Sequence, residues 1–419
     1  MIKNIKRVGI ITLIISVICC LCCAITFNLV ATKNASMEQS SKTANDEQTL
    51  NETDFDAEII LKSDTNGTIA DKWTQAINLS STERREVKVQ LEQNWIANYN
   101  SETQITFFGL IADGGANGYS NEGGLYIPTT ANIKLNLAGF SINRNQTQYN
   151  SKPATNVITV AGIFTIVDTT YNGELFRNAY NQYKENKDSF INKISGITTG
   201  KICGGNLKGS GGGICVESTG VLNMYGGRIM DNVATNGGGI FLEGTFNFYD
   251  GLICGNEVTT GNSLGGGIHC QGGQFNMYNG LIVNNTNQYY GGGIDIRGQG
   301  ETRSYATITG GIIAHNYAQF GGGISINSLG TLDIRNTDVS YNLTWGNSAG
   351  VLIWTGTAEG KITDCTITHN KAYRTNNGAN PGGAGVLANS KLEIYNSEIT
   401  DNELWNGVDT TPGAGAGIR

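Results

Sequence analysis

Residues 237–264, GGGIFLEGTFNFYDGLICGNEVTTGNSL, and residues 265–290, GGGIHCQGGQFNMYNGLIVNNTNQYY, are two consecutive copies of one pattern. In each copy, apolar side chains alternate with other side chains over short stretches, and turn pairs such as Asp250-Gly251 and Asn279-Gly280 separate the stretches. Alternation with a period of two is typical of β-strands that bury one face, and Gly-containing pairs favour turns. Each copy therefore predicts three short strands and three turns.

The pattern continues on both sides of these copies. GGGI occurs five times between residues 211 and 324, three degenerate forms follow, and the spacing of the motifs varies between 26 and 35 residues. The residues that end the motifs are Ile214, Ile240, Ile268, Ile294, Ile324, Val351, Val386 and Ile418. A second motif, [IV]-x-x-N, lies between them, and its asparagines are Asn232, Asn256, Asn285, Asn316, Asn342, Asn370 and Asn402.

A repeat of this length that is built from strands predicts a solenoid in which each coil pairs with its neighbours. Leucine-rich and ankyrin-type repeats need helical segments or Leu spacings that this repeat lacks. We therefore predict an all-β fold, a right-handed parallel β-helix with three short strands per coil, since parallel crossovers are right-handed. Neighbouring coils are expected to stack at ~4.8 Å.

The two motifs themselves predict structure rather than chemistry. The repeated Asn is expected to form a ladder at a turn, where its amide bonds to the Asn one coil away and to nearby backbone. The Gly triplets suit a bend where a Cβ atom would clash or φ must be positive.

The alternating GGG[IV] and [IV]-x-x-N motifs resemble the GGA[ILV] and FxxN repeats of chlamydial polymorphic outer-membrane proteins. They also resemble those of the wider group of bacterial right-handed β-helix repeat proteins on cell surfaces, which belong to the pectin-lyase-like superfamily. The resemblance covers about residues 200–419, and Ile or Val stands here where the chlamydial repeat has Phe. It implies adhesion or contact with surface glycans more often than catalysis.

The N-terminus predicts export. Lys3, Lys6 and Arg7 precede an uncharged segment, residues 8–32, and about 20 apolar residues suffice to cross a bilayer as a helix. The basic flank is expected to stay in the cytoplasm, which sends the rest of the chain outward. Residues 1–32 are thus a signal-anchor or a cleaved signal peptide, and both remain open. The protein is expected to be membrane-anchored with its C-terminal part extracellular, or secreted.

The remaining chain is predicted to have three parts. Residues 33–67 are polar and predict a flexible stalk. Residues 68–199 predict an N-terminal cap helix and irregular leading coils, with a short helix inserted near residues 172–193. Residues 200–419 carry the regular coils. The last motif stops at Arg419, so that two alternatives are expected: the sequence is a fragment of a longer protein, or its uncapped coil associates end to end with a copy or partner.

Composition excludes several functional classes. The 419 residues carry a net charge of -7 and only three His, so that no basic stripe is available for nucleic acid. Five cysteines follow the apolar segment without any C-x-x-C spacing, and we predict neither a metal site nor a cofactor. These cysteines are Cys203, Cys215, Cys254, Cys270 and Cys365.

One candidate site lies on the outward positions of the first strand in each coil. Three adjacent coils bring Glu243, His269, Asp295 and Arg297 together there. If the protein is an enzyme, this patch is the candidate for a pectin-lyase-like polysaccharide lyase or a glycosidase. Such enzymes need paired carboxylates, or a base with cations that stabilise the developing charge. The patch lacks a cluster of Asp residues, which makes catalysis the alternative and a solvated or binding surface the favoured interpretation.

A second candidate site is a column of tyrosines. Tyr225, Tyr249 and Tyr278 occupy one outward position in three successive coils, beside a column that includes Asn247 and Asn276. Rings and amides in this arrangement suit sugar recognition, although stacked aromatics also stabilise parallel strands. We therefore expect an adhesin-like or glycan-binding surface protein without catalysis. Its partners would be extracellular glycans or surface proteins, and a rigid structural spacer is the third alternative.

Overall fold

The computed structural model describes residues 55–100, 105–109, 120, 123–146, 156–259, 261–373, 382–405 and 416–419, which belong to one unit, residues 52–419. The predicted membrane or signal helix, residues 1–32, lies outside the described residues, as does most of the predicted stalk. Within the described ranges, no helix is both long enough and apolar enough to span a bilayer.

Four sheets of parallel strands run along the described chain, and each regular coil from Ile214 onward contributes one strand to each sheet in turn. We name the sheets by the order of their strands within a regular coil. The first sheet contains Leu125–Ile127, Ile158–Val160, Ile214–Val216, Ile240–Leu242, Ile268–Gln271, Ile294–Arg297, Ile324–Ile326, Val351–Ile353 and Val386–Ala388. The second sheet contains Ile59–Leu61, Glu86–Leu91, Asn132–Asn136, Ile163–Val167, Val221–Met224, Thr245–Phe248, Gln274–Met277, Ser304–Ile308, Gly330–Arg335, Glu359–Thr363 and Lys391–Tyr395.

The third and fourth sheets complete the coils. The third sheet contains Trp95–Ile96, Ser141–Asn143, Lys201–Cys203, Arg228–Met230, Leu252–Cys254, Leu281–Val283, Ile312–Ala314, Asp338–Ser340, Thr366–Thr368 and Glu398–Thr400. The fourth contains Val233–Ala234, Glu257–Val258, Thr286–Asn287, Tyr317–Ala318, Leu343–Thr344, Lys371–Tyr373 and Glu403–Trp405. Outside these sheets, Asn98–Asn100 and Ile105–Phe107 pair antiparallel.

The stacked parallel sheets are those of a parallel β-helix, as the repeat predicts. The expected number of three strands per coil is wrong, because each regular coil has a fourth strand directly after the ladder asparagine. This strand is only two or three residues long, as in Val233–Ala234 and Glu257–Val258. So short a strand shows no alternation, and it forms because its neighbour one coil away lies in register.

The core consists of side-chain columns that run from coil to coil. Ile240, Ile268 and Ile294 are direct neighbours in the first sheet, and each is fully buried. In the second sheet, Phe246 pairs with Phe275, and both rings are buried. The alternation in the sequence predicts one buried face for each strand, and this register and burial confirm that prediction.

The seven motif asparagines form a continuous hydrogen-bonded ladder. The side-chain amide of Asn256 donates from Nδ2 to Oδ1 of Asn285 at 3.0 Å, and the backbone N–H of Asn256 donates to the same oxygen at 3.1 Å. The second amide hydrogen of Asn256 goes to the carbonyl of Ile229 in the preceding coil at 2.9 Å. The same set of bonds recurs at the other rungs, which confirms the predicted ladder.

The Gly triplets occupy the bend before the first strand. Gly265 has a φ of +64°, and a Cβ atom there would lie 2.1 Å from the carbonyl oxygen of Ile268. At Gly267, a Cβ atom would lie 2.6 Å from the carbonyl oxygen of Gly293 in the next coil. The triplet therefore combines a left-handed residue with a close approach of two backbones, as the sequence predicts.

The N-terminal end of the core is covered by helix α1, Ile69–Glu83. Thr68 caps it in a reciprocal arrangement with Asp71, and its buried face contains Trp73 and Ile77. The ring of Trp73 packs edge-on against Trp95 of the third sheet at 5.9 Å. Strand Ile59–Leu61 lies within the segment predicted to be a stalk, yet it pairs with Glu86–Leu91 as the first strand of the second sheet.

Two helices follow strand Ile163–Val167, where the sequence predicts one. Helices α2, Gly173–Tyr183, and α3, Lys187–Ser195, pack against each other and cover the outer face of the third sheet. The covered strands carry apolar side chains on their outward positions as well as inside, including Leu252 and Leu281. Arg228 anchors the end of α3, since its guanidinium donates to the carbonyls of Ile194 and Ile197.

His315 lies beneath this pair of helices. Its ring is 5.7 Å from the Phe190 ring and 6.3 Å from the Tyr180 ring, and its Nε2 atom has no hydrogen-bond partner. Burial, together with the nearby charge of Lys187, lowers the pKa of His315 from 6.5 to about 4. The imidazole is therefore neutral in the folded protein at neutral pH.

We predict that His315 makes the protein sensitive to mild acid. Because its pKa is lower in the folded state, its contribution to the free energy of unfolding is complete above pH 6.5 and is lost as the pH falls towards 4. The total loss should be about 3 kcal/mol. His315→Asn, which matches Asn284 in the same left-handed position one coil earlier, should remove this part of the pH dependence in urea titrations. The exposed His369→Asn is the control, and an equal effect of both variants would contradict the assignment.

A second prediction concerns the asparagine ladder. Asn285→Ala removes the acceptor of two buried N–H groups of Asn256, which should lower the free energy of unfolding by about 2–5 kcal/mol. Asn192→Ala, the same change at an exposed position of α3, should alter it by less than about 0.5 kcal/mol. Urea denaturation followed by circular dichroism measures both, and similar midpoints for the two variants would refute the structural role.

Candidate functional site

The structure brings three of the four patch residues into contact. His269 pairs with Asp295 across neighbouring strands of the first sheet, and Arg297 follows two residues later. The Oδ2 atom of Asp295 lies 3.0 Å from His269 Nδ1 and 3.9 Å from Arg297 Nε. None of these three atoms makes a hydrogen bond of good geometry, so the three groups lie close together without a directed bond between them.

The other carboxylate oxygen of Asp295 is fully engaged. Its Oδ1 atom accepts hydrogen bonds from the hydroxyl of Ser325 and, at 2.7 Å, from the amide of Asn327. On the opposite side, His269 Nε2 lies 3.1 Å from the side-chain oxygen of Gln271. Asp295 is thus the centre of a polar network that spans three coils.

This network is buried, although it lies on the outward positions of its strands. The side chains of His269 and Asp295 are 0% exposed, and that of Arg297 is 32% exposed. The ring of Phe241 lies 5.5 Å from His269, and the Arg297 guanidinium lies over the Tyr290 ring at 5.7 Å. A substrate in solution can therefore contact Arg297 and the half-buried Glu243, while His269 and Asp295 are shielded from it.

The side chains packed beside Arg297 come from the residues just before the Gly triplets. Leu264, Tyr290 and Phe320 lie in this position in successive coils, and they cluster with Leu352 of the first sheet and with Trp354. The Phe320 and Trp354 rings stack at 6.1 Å. Sequence reasoning missed this aromatic cluster, although its signal is a large apolar residue before successive GGGI motifs.

Two carboxylates lie at the other end of the same row. Burial, and then the charge of Glu243 one coil away, raise the pKa of Glu217. Glu217 also bonds to the hydroxyl of Tyr126, and burial followed by these two acids raises the pKa of the Cys215 thiol to about 12. Cys215 is therefore an unreactive thiol, and the pKa of Glu217 lies above that of an ordinary glutamic acid.

The predicted tyrosine column is a true stack. The rings of Tyr225 and Tyr249 are 4.2 Å apart and 4° from parallel, and those of Tyr249 and Tyr278 are 4.8 Å apart and 7° from parallel. Burial and the neighbouring Tyr249 hydroxyl raise the pKa of Tyr225. Because the rings cover one another, the stack presents ring edges and hydroxyl groups to solvent, and it leaves few open ring faces.

The adjacent amides also bond to each other. Asn247 donates to Asn223 at 2.9 Å, and Asn276 donates to Asn247 at 2.8 Å. This second amide row runs parallel to the tyrosine stack on the outer face of the second sheet. The predicted binding residues are thus fixed in two rows along the axis of the solenoid.

These rows lie within a larger uncharged surface, which we name the neutral platform. It consists of the outward side chains on five neighbouring strands of the second sheet. Taken strand by strand, these are Ile163, Thr165 and Val167; Val221, Asn223 and Tyr225; Thr245, Asn247 and Tyr249; Gln274, Asn276 and Tyr278; and Tyr305, Thr307 and Thr309. Thr165 and Val167 are buried between their neighbours, whereas the others are partly or fully exposed.

Charged residues border the neutral platform at both ends. The preceding strands carry Glu86, Lys88 and Lys134 on the same outer face. On the following strand, Arg335 binds Asp333 through two hydrogen bonds of 2.9 and 2.6 Å. The next two strands carry Glu359, Lys361, Lys391 and Glu393. The same side-chain columns thus carry charged residues on the neighbouring strands, and the five consecutive strands of the platform lack them.

Among the residues that the structure describes, no group of three or more His, Cys, Asp or Glu side chains could hold a metal ion, and the five cysteines there are unpaired. None of the family models, curated proteins or solved structures compared with this chain matches it. The surfaces described above therefore carry the functional argument.

We predict that Asp295 stabilises the fold. Asp295→Ala leaves His269, Ser325 and Asn327 buried without their common partner, which should cost about 3–5 kcal/mol of unfolding free energy. Glu243→Ala removes a half-buried carboxylate of the same row and should change that free energy by about 0.5 kcal/mol or less. Urea denaturation at pH 7 measures both variants, and a stable Asp295→Ala protein would show that the network is not structural.

Proposed function

We propose that this chain is a non-catalytic, right-handed parallel β-helix, displayed on a cell surface or secreted, that binds uncharged glycans through the neutral platform. The single observation that carries this proposal is the row of five strands without a charged outward residue, bordered by charged strands at both ends. The right-handed crossover follows the general preference of parallel strands. The uncharged segment of residues 8–32 supports export.

The chemistry of the neutral platform fits a neutral saccharide. Its amides and hydroxyls can exchange hydrogen bonds with sugar hydroxyls, and its ring edges and methyl groups can contact C–H surfaces. An acidic glycan would find no cation on these five strands, and a basic one would find no carboxylate. Tyr278 is the most accessible tyrosine of the stack, at 36% exposure.

One observation favours the enzymatic alternative. The pKa of Glu217 is raised next to the carboxylate of Glu243, and a glycosidase needs a protonated and an ionised carboxyl group near each other. These two residues, rather than the shielded His269 and Asp295, are the carboxyl groups to which hydrolysis would be assigned. This second candidate predicts turnover, which the first excludes.

We predict that the full-length protein binds neutral glycans on a glycan array and releases no product from them. Parallel assays for new reducing ends and for unsaturated sugars measure turnover. Hydrolysis that is lost in Glu217→Gln and Glu243→Gln would overturn the non-catalytic proposal in favour of the second candidate. A protein that binds only charged glycans, or none, would contradict the neutral platform as a glycan site and would favour a structural spacer.

A further inference from the structure

The side chains of the neutral platform repeat at the spacing of the coils. The stacked tyrosine rings are 4.2 and 4.8 Å apart, and the amides of Asn223, Asn247 and Asn276 bond in a row beside them. Along the solenoid axis, hydroxyl and amide groups therefore recur about every 4.8 Å, the distance between paired strands. Because these groups hold each other in place, a ligand that matches the spacing loses little free energy in ordering them.

The spacing matches one type of glycan backbone. In an extended chain whose pyranose rings are linked through equatorial bonds, each sugar advances by nearly the distance between two strands. Such a chain, laid parallel to the solenoid axis, presents one sugar to each strand of the neutral platform. Axially linked glycans such as starch wind into helices, so that their successive sugars turn away from a flat protein surface.

The form of the surface favours an ordered array over a single soluble chain. The platform is three side-chain columns wide, and its tyrosines turn ring edges outward, so that no cleft or open ring pair encloses one oligosaccharide. Among the described residues, no helix covers the platform, whereas α2 and α3 cover part of the third sheet. Many weak contacts made at once to neighbouring, pre-aligned chains provide the affinity that one flexible chain cannot.

The dimensions are consistent with such a partner. Five strands span about four spacings, or ~19 Å, which is enough for several sugars of each aligned chain. The exposed Tyr305 and Thr307 extend the contact surface beyond the tyrosine stack. At either end, the bordering charged residues would have to lose water against a neutral surface, which limits the contact to the platform.

We infer that the neutral platform binds an ordered, insoluble and uncharged polysaccharide of extended, equatorially linked chains, which lie parallel to the solenoid axis. This inference rests on the proposed function, because it names the physical form and linkage of the glycan at the same site. In this arrangement, the Tyr225–Tyr249–Tyr278 stack places its hydroxyl groups at the spacing of the strands, and the exposed hydroxyl and amide groups contact the polysaccharide.

Depletion of the full-length protein from solution tests the inference, with microcrystalline cellulose, crystalline chitin and granular starch as solids and soluble cellohexaose as competitor. We expect binding to cellulose or chitin at least tenfold tighter than to starch, and weak competition by cellohexaose. If soluble neutral oligosaccharides bind but the crystalline solids do not, the inference fails and the proposed function stands. If no neutral glycan binds in either form, both fail.

A charge introduced into the neutral platform provides the matched variant. Thr307→Lys places a cation on an exposed platform position, in the column where Lys361 is already accommodated two strands later, and should weaken binding to the solid at least tenfold. Thr366→Lys adds the same charge to an exposed threonine of the third sheet and should leave binding unchanged. Circular dichroism confirms that both are folded, and equal binding by the two variants would overturn the assignment of the surface.

Discussion

The buried asparagine ladder is the interaction on which the rest of the molecule depends. Each amide donates one N–H group to the Asn of the next coil and accepts, through its carbonyl oxygen, from the Asn of the preceding coil. Its second N–H group donates to a backbone carbonyl of the preceding coil. Since a buried amide tolerates no missing partner, the ladder fixes the height and the rotation of every coil relative to its neighbours. With that register fixed, inward positions become apolar columns and outward positions become rows of like side chains. The tyrosine stack and the second amide row are consequences of it.

Features that arise within one repeat could be predicted from the sequence, whereas features that join distant segments could not. Alternation and motif spacing were sufficient for three of the four strands of each coil, the core columns and the Asn ladder. They were not sufficient for the burial of His269 and Asp295, which point outward as predicted but are enclosed by side chains of other coils, such as Phe241 and Asn327. The position of helices α2 and α3 could not be predicted for the same reason. The sequence indicates it only indirectly, through outward residues such as Leu252 that are apolar although they do not face the core.

The outer faces of the first three sheets differ in what covers them. The third sheet is covered by the helices, and the first by side chains that precede the Gly triplets, so that both faces carry apolar or mutually bonded groups. Among the described residues, no helix covers the outer face of the second sheet, and the outward side chains there are uncharged over five strands. Stacked uncharged side chains stabilise parallel strands, and the proposed binding uses the same side chains. The support for binding is that the strands on both sides of this open face carry charge in the same columns.

The Asn ladder also gives the solenoid a direction. From Asn232 to Asn370, one Nδ2–H group of each Asn donates to the Asn of the following coil, so that these side-chain bonds all point the same way along the axis. In such a chain, each bond polarises the next, and the rungs with neighbours on both sides are the strongest. Under a pulling force along the axis, coils near Asn285 and Asn316 would resist longest, while the outer rungs would separate first. Under such a force, the solenoid would therefore unfold progressively, coil by coil, instead of in a single step.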